Sequence, residues 1–189
     1  AAIGVIEEME RQGYVITSIA GCSIGSLIGG MYASGNLNKF KSWILKLDKK
    51  DVFKLMDFTF SSRGILKGKK VFEELKKIIG DVNIEDLRIP FSAVAVNLNN
   101  HKEVVFRSGN LLEAIRASSS IPSIVTPIKK ENQMLVDGGI LNPLPLSIVE
   151  KKENDLLVGI DLNAFEAKKE KPTPNYYVDY DKYIRAISQ

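Results

Sequence analysis

Apolar residues open the chain at Ile3, Val5, Ile6 and Met9, with Glu7, Glu8 and Glu10 between and after them; this spacing lays one stripe along a helix that Gly13 stops. The next run, "YVITSIAG", turns β-branched and ends on glycine, which predicts a buried strand of a parallel sheet. Helical spacing returns in "SIGSLIGGMYASG", closed at Gly35, where glycines 25, 29 and 30 predict close packing on the sheet. "NLNKFKSWILKLDKK" reads as an amphipathic helix. "GKKVFEELKKIIG" reads as another, with Val71, Phe72, Leu75, Ile78 and Ile79 on one face and lysines on the solvated one. Between them, "DVFKLMDFTFSSRGILKG" has no single period.

The second half begins with two β-rich runs in "PFSAVAVNLNNHKEVVFRSG", a hairpin around Asn99, Asn100 and His101. "GNLLEAIRASSS" predicts a short helix capped near Asn110, and "IPSIVTPIKKENQMLVDGG" predicts extended segments around another turn, with "QMLV" delivering Asp137 at its end. "PLPLSIVEKK" can start a helix on its prolines, and "DLLVGIDLN" reads as one more buried strand. Strands alternating with helices predict an α/β fold, a three-layer α/β/α sandwich with a mostly parallel central sheet. Residues 1–165 form the expected domain, and 166–189 an exposed linker with a weakly amphipathic tail. A crossover helix in a parallel sheet needs a strand before it, so residues upstream of Ala1 are expected.

Composition narrows the function classes. With 189 residues, 44% hydrophobic and 26% charged, the chain can bury one substantial core. Its net charge of +3 is mild, and basic residues alternate with Glu and Asp, which argues against a nucleic-acid partner. A single cysteine, Cys22, excludes an internal disulfide and zinc-type ligand spacing, and favours a reducing, cytoplasmic setting. No stretch reaches the roughly 18 consecutive apolar residues of a membrane span, and no secretory signal opens the chain. The expected chemistry uses no metal or cofactor.

That chemistry centres on Gly21, Cys22, Ser23, Ile24 and Gly25. A strand ending at Gly21 and a helix beginning near Ile24 would hold Ser23 on a strained turn, hydroxyl outward, with the flanking glycines removing Cβ atoms that would clash. The Ile24 N–H, unpaired at the helix start, is then a candidate oxyanion donor. A plain serine N-cap is the alternative reading of the same five residues. His101, the sole histidine, lies in a polar turn, where solvent exposure is the ordinary fate and a Ser-His-Asp triad the less common one. A carboxylate base remains, and Asp137, at the end of an apolar strand and before Gly138 and Gly139, is the best placed. Cys22 is a poor nucleophile candidate, because no basic group is placed to lower its pKa.

Taken together, Gly-x-Ser-x-Gly, "RASSSIPSIVTPI", "LVDGG" and "ILNPLPLS" resemble the bacterial branch of the patatin-like phospholipase family, as do "IGVIEEMERQGY" and "GILKGKKVFEELKKIIG". The similarity runs from Ala1 to about Asp161. It implies a lipid acyl-ester hydrolase of the phospholipase or lysophospholipase type, with Ser23 as nucleophile and Asp137 as base. It also implies a lipid or lysophospholipid substrate met at the membrane periphery, and a glycine-rich oxyanion loop that would precede Ala1. Phe53, Leu55, Met56, Phe58 and Phe60 are expected to pack in the core or, alternatively, to form an acyl-binding flap. A silent lipid-binding or regulatory module, and an acyltransferase sharing the acyl-enzyme, are the other functions the same residues allow.

Overall fold

The computed structural model describes residues 1–61 and 64–162, with side chains left aside for 58–65. Helix α1 (Ala2–Arg11) leads to strand β1 (Ile19–Cys22) and helix α2 (Ile24–Ala33). Helices α3 (Leu37–Ile44) and α4 (Lys49–Leu55) follow, then strands β2 (Phe58–Ser61) and β3 (Gly64–Leu66) and helix α5 (Lys69–Ile79). The hairpin of β4 (Phe91–Asn97) and β5 (Lys102–Phe106) precedes helix α6 (Leu111–Ser118) and strands β6 (Ser123–Val125), β7 (Ile128–Lys130) and β8 (Gln133–Asp137).

Strand β4 is the centre of a five-stranded sheet, and all seven of its residues are buried. Side chains alternate across it. On one face Ala93 and Ala95, with Leu135 of β8, meet α2 and α6 through Ile28, Met31, Leu111, Ile115 and Ala117; on the other, Val96 and Val136 pack against Ile140. Two glycines of α2 account for its tight seat. A Cβ on Gly29 would stand 2.7 Å from Ile19 of β1, and one on Gly30 would stand 2.8 Å from Ile115 of α6.

The α/β class stands, with helices on a mixed sheet, as a three-layer α/β/α sandwich requires. The mostly parallel sheet does not. Among the described strands of this sheet, only the β1–β4 pair is parallel; β4–β5, β4–β8 and β7–β8 are antiparallel. For β4–β5 and β7–β8 the cause is the connections, because tight turns at His101 and Glu131 join them, and a short turn can join only antiparallel neighbours. The helix expected over "NLNKFKSWILKLDKK" is two helices. Asp48 breaks it by capping α4, accepting from the Asp51 N–H at 2.8 Å while Asp51 reaches back to the Asp48 N–H.

Two expected strands are shortened or absent. β1 begins only at Ile19, leaving Tyr14 and Val15 exposed, and the described part of "DLLVGIDLN", residues 155–162, forms no strand, with Leu156, Leu157, Val158 and Leu162 all exposed. An apolar run becomes a strand only when a neighbour completes its ladder, and none among the described residues does so here. The segment after Pro145 makes one short 3-10 turn, Leu146–Ile148, in place of a helix. The linker and tail expected over 166–189 lie outside the described residues.

Candidate active site

Strand pairing explains how residues far apart in sequence come together. β5 occupies one edge of β4 from Ala93 to Asn97. β1, paired from Phe91 to Val94, and β8, paired from Asn97 back to Ala95, therefore share the other edge and run toward each other. They meet head to head. Cys22 lies opposite Val94 and Asp137 opposite Ala95, so Ser23 leaves β1 just where Asp137 ends β8.

Ser23 has φ 51° and ψ −129°, a left-handed backbone that costs a non-glycine residue about 1–3 kcal/mol and persists only when its surroundings over-determine it. They do. Its N–H donates to the Ser118 carbonyl at 3.1 Å and to Ser118 Oγ at 3.0 Å. Its carbonyl accepts from Ser26 Oγ at 2.7 Å, from Ser119 Oγ at 3.2 Å and from the Ser26 and Leu27 N–H groups. The turn is tight enough that a Cβ on Gly21 would stand 2.5 Å from the Gly25 carbonyl carbon. Gly25 differs from the expectation: a Cβ there meets nothing within 4 Å, so its part in the turn is the backbone that Gly21 touches. The Ile24 N–H, first of α2, donates to no acceptor among the described residues.

Asp137 is 6% exposed. Its Oδ1 accepts from the Gly139 N–H at 2.7 Å, its backbone N–H donates to the Ser120 carbonyl at 3.0 Å, and the Ser23 side chain lies near enough to its carboxyl group to favour the ionised form. Burial raises the pKa of Asp137 and outweighs the Ser23 and Gly139 interactions, which favour the ionised form. A carboxylate held this way is a stronger base than a solvated one. The chain escapes the junction through Gly138, where a Cβ would stand 2.2 Å from the Val94 carbonyl oxygen, and Gly139 lies so that its Cβ would be 3.1 Å from Asp137 Oδ1. Neither position has room for a side chain without movement.

The other candidates fall elsewhere. His101 sits at φ 56° in the β4–β5 turn, past the end of β4 and exposed, and is not brought to Ser23 and Asp137. Cys22 is buried, its Sγ donates to the Pro143 carbonyl at 3.3 Å, and burial together with the Asp137 charge pushes its thiol up to about 11. It stays protonated and unreactive at neutral pH. Phe53 and Met56 are exposed, not in the core, and Leu55 is half-buried; Phe58 and Phe60 have side chains outside those described. No cluster of three or more His, Cys, Asp or Glu that could hold a metal occurs among the described residues.

Sequence reasoning missed Ser118, Ser119 and Ser120. These three end α6 and hold the backbones of both Ser23 and Asp137. Ser118 and Ser120 are fully buried. The signal was present as three consecutive hydroxyl residues closing an amphipathic helix, a position where exposed polar residues are ordinary.

A family model described as patatin-like phospholipase matches residues 1–149. An uncharacterised NTE family protein of Mycobacterium tuberculosis is 41% identical over 167 residues, covering 88% of this chain and 46% of the relative. Lysophospholipase NTE1 of Scheffersomyces stipitis is 30% identical over 185 residues, covering 94% of this chain and 11% of the relative; that of Saccharomyces cerevisiae is 28% identical over 185 residues. The chain thus spans about half the length of the mycobacterial relative and about a tenth of the yeast one.

Proposed function

The chain belongs to the patatin-like phospholipase family, and we propose that it hydrolyses acyl esters of phospholipids or lysophospholipids through a Ser23–Asp137 dyad. The observation that carries this reading is the buried Asp137 carboxyl facing the Ser23 side chain at the meeting point of β1 and β8. The relatives named lysophospholipase favour that substrate class.

Ser23 Oγ attacks the ester carbonyl carbon while Asp137 takes the hydroxyl proton. The carbonyl oxygen becomes an oxyanion, and the Ile24 N–H, at the positive end of α2, is the donor aimed at it. Collapse expels the alcohol, which leaves with the proton returned by Asp137. Water then attacks the acyl-enzyme, giving its proton to Asp137, and the fatty acid leaves as Ser23 recovers its hydrogen. Ile24, Ile121 and Leu141, each at least 40% exposed beside Ser23, Ser120 and Asp137, offer an apolar approach for an acyl chain at a membrane surface. No helix among the described residues is long and apolar enough to cross a membrane.

The test is hydrolysis of a lysophospholipid and of a soluble ester, with a serine-directed phosphonate located by mass spectrometry. Ser23→Ala and Asp137→Asn should each lose about 10³-fold or more in kcat/KM, since members of a coupled unit fail together, and the label should sit on Ser23. His101→Ala should stay within a few-fold of wild type. An active Asp137→Asn enzyme, or a His101→Ala enzyme as inactive as Ser23→Ala, refutes the dyad. Activity should rise along an acidic limb as Asp137 ionises, above the usual carboxylate pKa because burial raises it.

A further inference from the structure

The parallel ladder between β1 and β4 follows one rule, set by the Ile19 N–H, which donates to the Pro90 carbonyl where Ile19 lies opposite Phe91. Every second residue of β1 repeats that step, Gly21 toward the Ser92 carbonyl and then Ser23, whose acceptor would be the Val94 carbonyl. That bond is not made. The Ser23 N–H donates instead to Ser118, and the Ser118 hydroxyl donates to the Val94 carbonyl at 2.6 Å. One buried hydroxyl has entered the ladder and completes it indirectly.

From this we infer that Ser118 is a positioning residue for the hydrolytic reaction: its hydroxyl, spliced between the Ser23 N–H and the Val94 carbonyl, lifts the nucleophile out of strand geometry and sets its approach to Asp137. The inference rests on the dyad reading above. A hydroxyl suits this place because it can accept from one backbone group and donate to the next at once, and its proton is committed to Val94, so its lone pair faces Ser23. The same α6 end fixes the base. The Ser120 carbonyl accepts the Asp137 N–H, and Ser119 Oγ donates to the Ser23 carbonyl, so nucleophile and base are both measured from three consecutive residues. Ser118 touches no substrate in this role and acts only through Ser23.

Removing the Ser118 hydroxyl strands the Val94 carbonyl, a buried acceptor, unless β1 closes onto it. Closure would draw Ser23 back toward the sheet. The experiment compares Ser118→Ala, Ser118→Thr and Ser119→Ala in the intact protein, assayed on a soluble ester with folding checked by circular dichroism. Ser118→Ala should lose about 10²-fold in kcat, the cost of roughly 1 Å of misplacement, with KM within about three-fold of wild type. Its acidic limb should move to higher pH, because a weakened Ser23 interaction no longer favours the ionised Asp137. Phosphonate labelling of Ser23 should slow in step with kcat. Ser118→Thr, which keeps the hydroxyl, should recover most of the rate, and Ser119→Ala should lose less than ten-fold.

Wild-type kcat and acidic limb in folded Ser118→Ala overturn the inference. So does a loss that follows only the folded fraction, or one that Ser118→Thr shares in full while folded. If Ser118→Ala does not fold, Ser119→Ala and Ser118→Thr decide through the limb and labelling rate. Failure of the dyad itself would show separately, as full activity in Asp137→Asn.

Discussion

The junction of β1, β4 and β8 and the strip from Lys49 to Met56 are both rich in apolar residues, yet the chain treats them in opposite ways. At the junction, Val94, Ala95 and Val136 are wholly buried, and Ser23 and Asp137 are each held through several hydrogen bonds. Along α4, Val52 and Phe53 stand exposed at 47% and 66%, and no residue of the helix is buried. The first region is over-determined, and the second is held at the surface, by its Asp48 cap, the Lys54–Asp51 pair and the Lys70 Nζ bond to the Lys54 carbonyl among its contacts. Hydrophobic content alone therefore says little about where a residue ends. Long-range ladder contacts from both sides separate the two, because they exclude water from the junction and leave α4 on the surface.

The sharpest way to break the contrast is Gly138→Ala. Its Cβ would sit 2.2 Å from a backbone carbonyl that also anchors Ser118, so no flexible side chain can yield. Chemical denaturation should show a loss of about 3 kcal/mol, with activity lost as well. Gly25→Ala provides the control: with nothing within 4 Å of the added methyl group, its cost in stability should stay below about 1 kcal/mol.

A smaller effect concerns the charge at the junction. Asp137 has its pKa raised in the folded state, so its contribution to stability is fully present below the unfolded value and is lost as pH rises through the folded one. Asp137→Asn removes that loss while keeping an oxygen for the Gly139 N–H. The variant should melt above wild type at pH 7, and the gap should narrow as pH falls toward 4. A gap that widens on acidification would mean that the carboxylate stabilises the fold. The proposed base would then also stabilise the fold, contrary to the usual trade between stability and activity.

The least effect on stability belongs to α4. Phe53→Ser should change stability by no more than about 0.5 kcal/mol, since an exposed side chain leaves no cavity. If the strip contacts lipid, hydrolysis of vesicle-borne substrate should fall a few-fold while the soluble ester is untouched. Equal rates on both would reduce α4 to a surface helix.

Much of this architecture was legible. The two β-rich runs around a polar turn gave β4 and β5, the periodicity of "GKKVFEELKKIIG" gave α5 between its glycines, and Asp137 was read at the end of its strand. These are local patterns with local causes. The break between α3 and α4 was written in Asp48 and Asp51, but an unbroken apolar stripe spoke louder. "DLLVGIDLN" misled because a short apolar run does not state its ladder partner. Strand direction and the Ser118 splice were out of reach for a related reason, since each depends on which segments share an edge of β4.

That shared edge has a consequence for the order in which the molecule becomes an enzyme. Ser23 and Asp137 are 114 positions apart (137 − 23), and nearly every described element is made between them. During synthesis Ser23 emerges early, with no Asp137 beside it, and waits while the intervening helices and strands collect. On the proposed dyad, hydrolytic power would arrive only when β8 docks against β4, so a half-made or half-folded copy would carry the serine without its base.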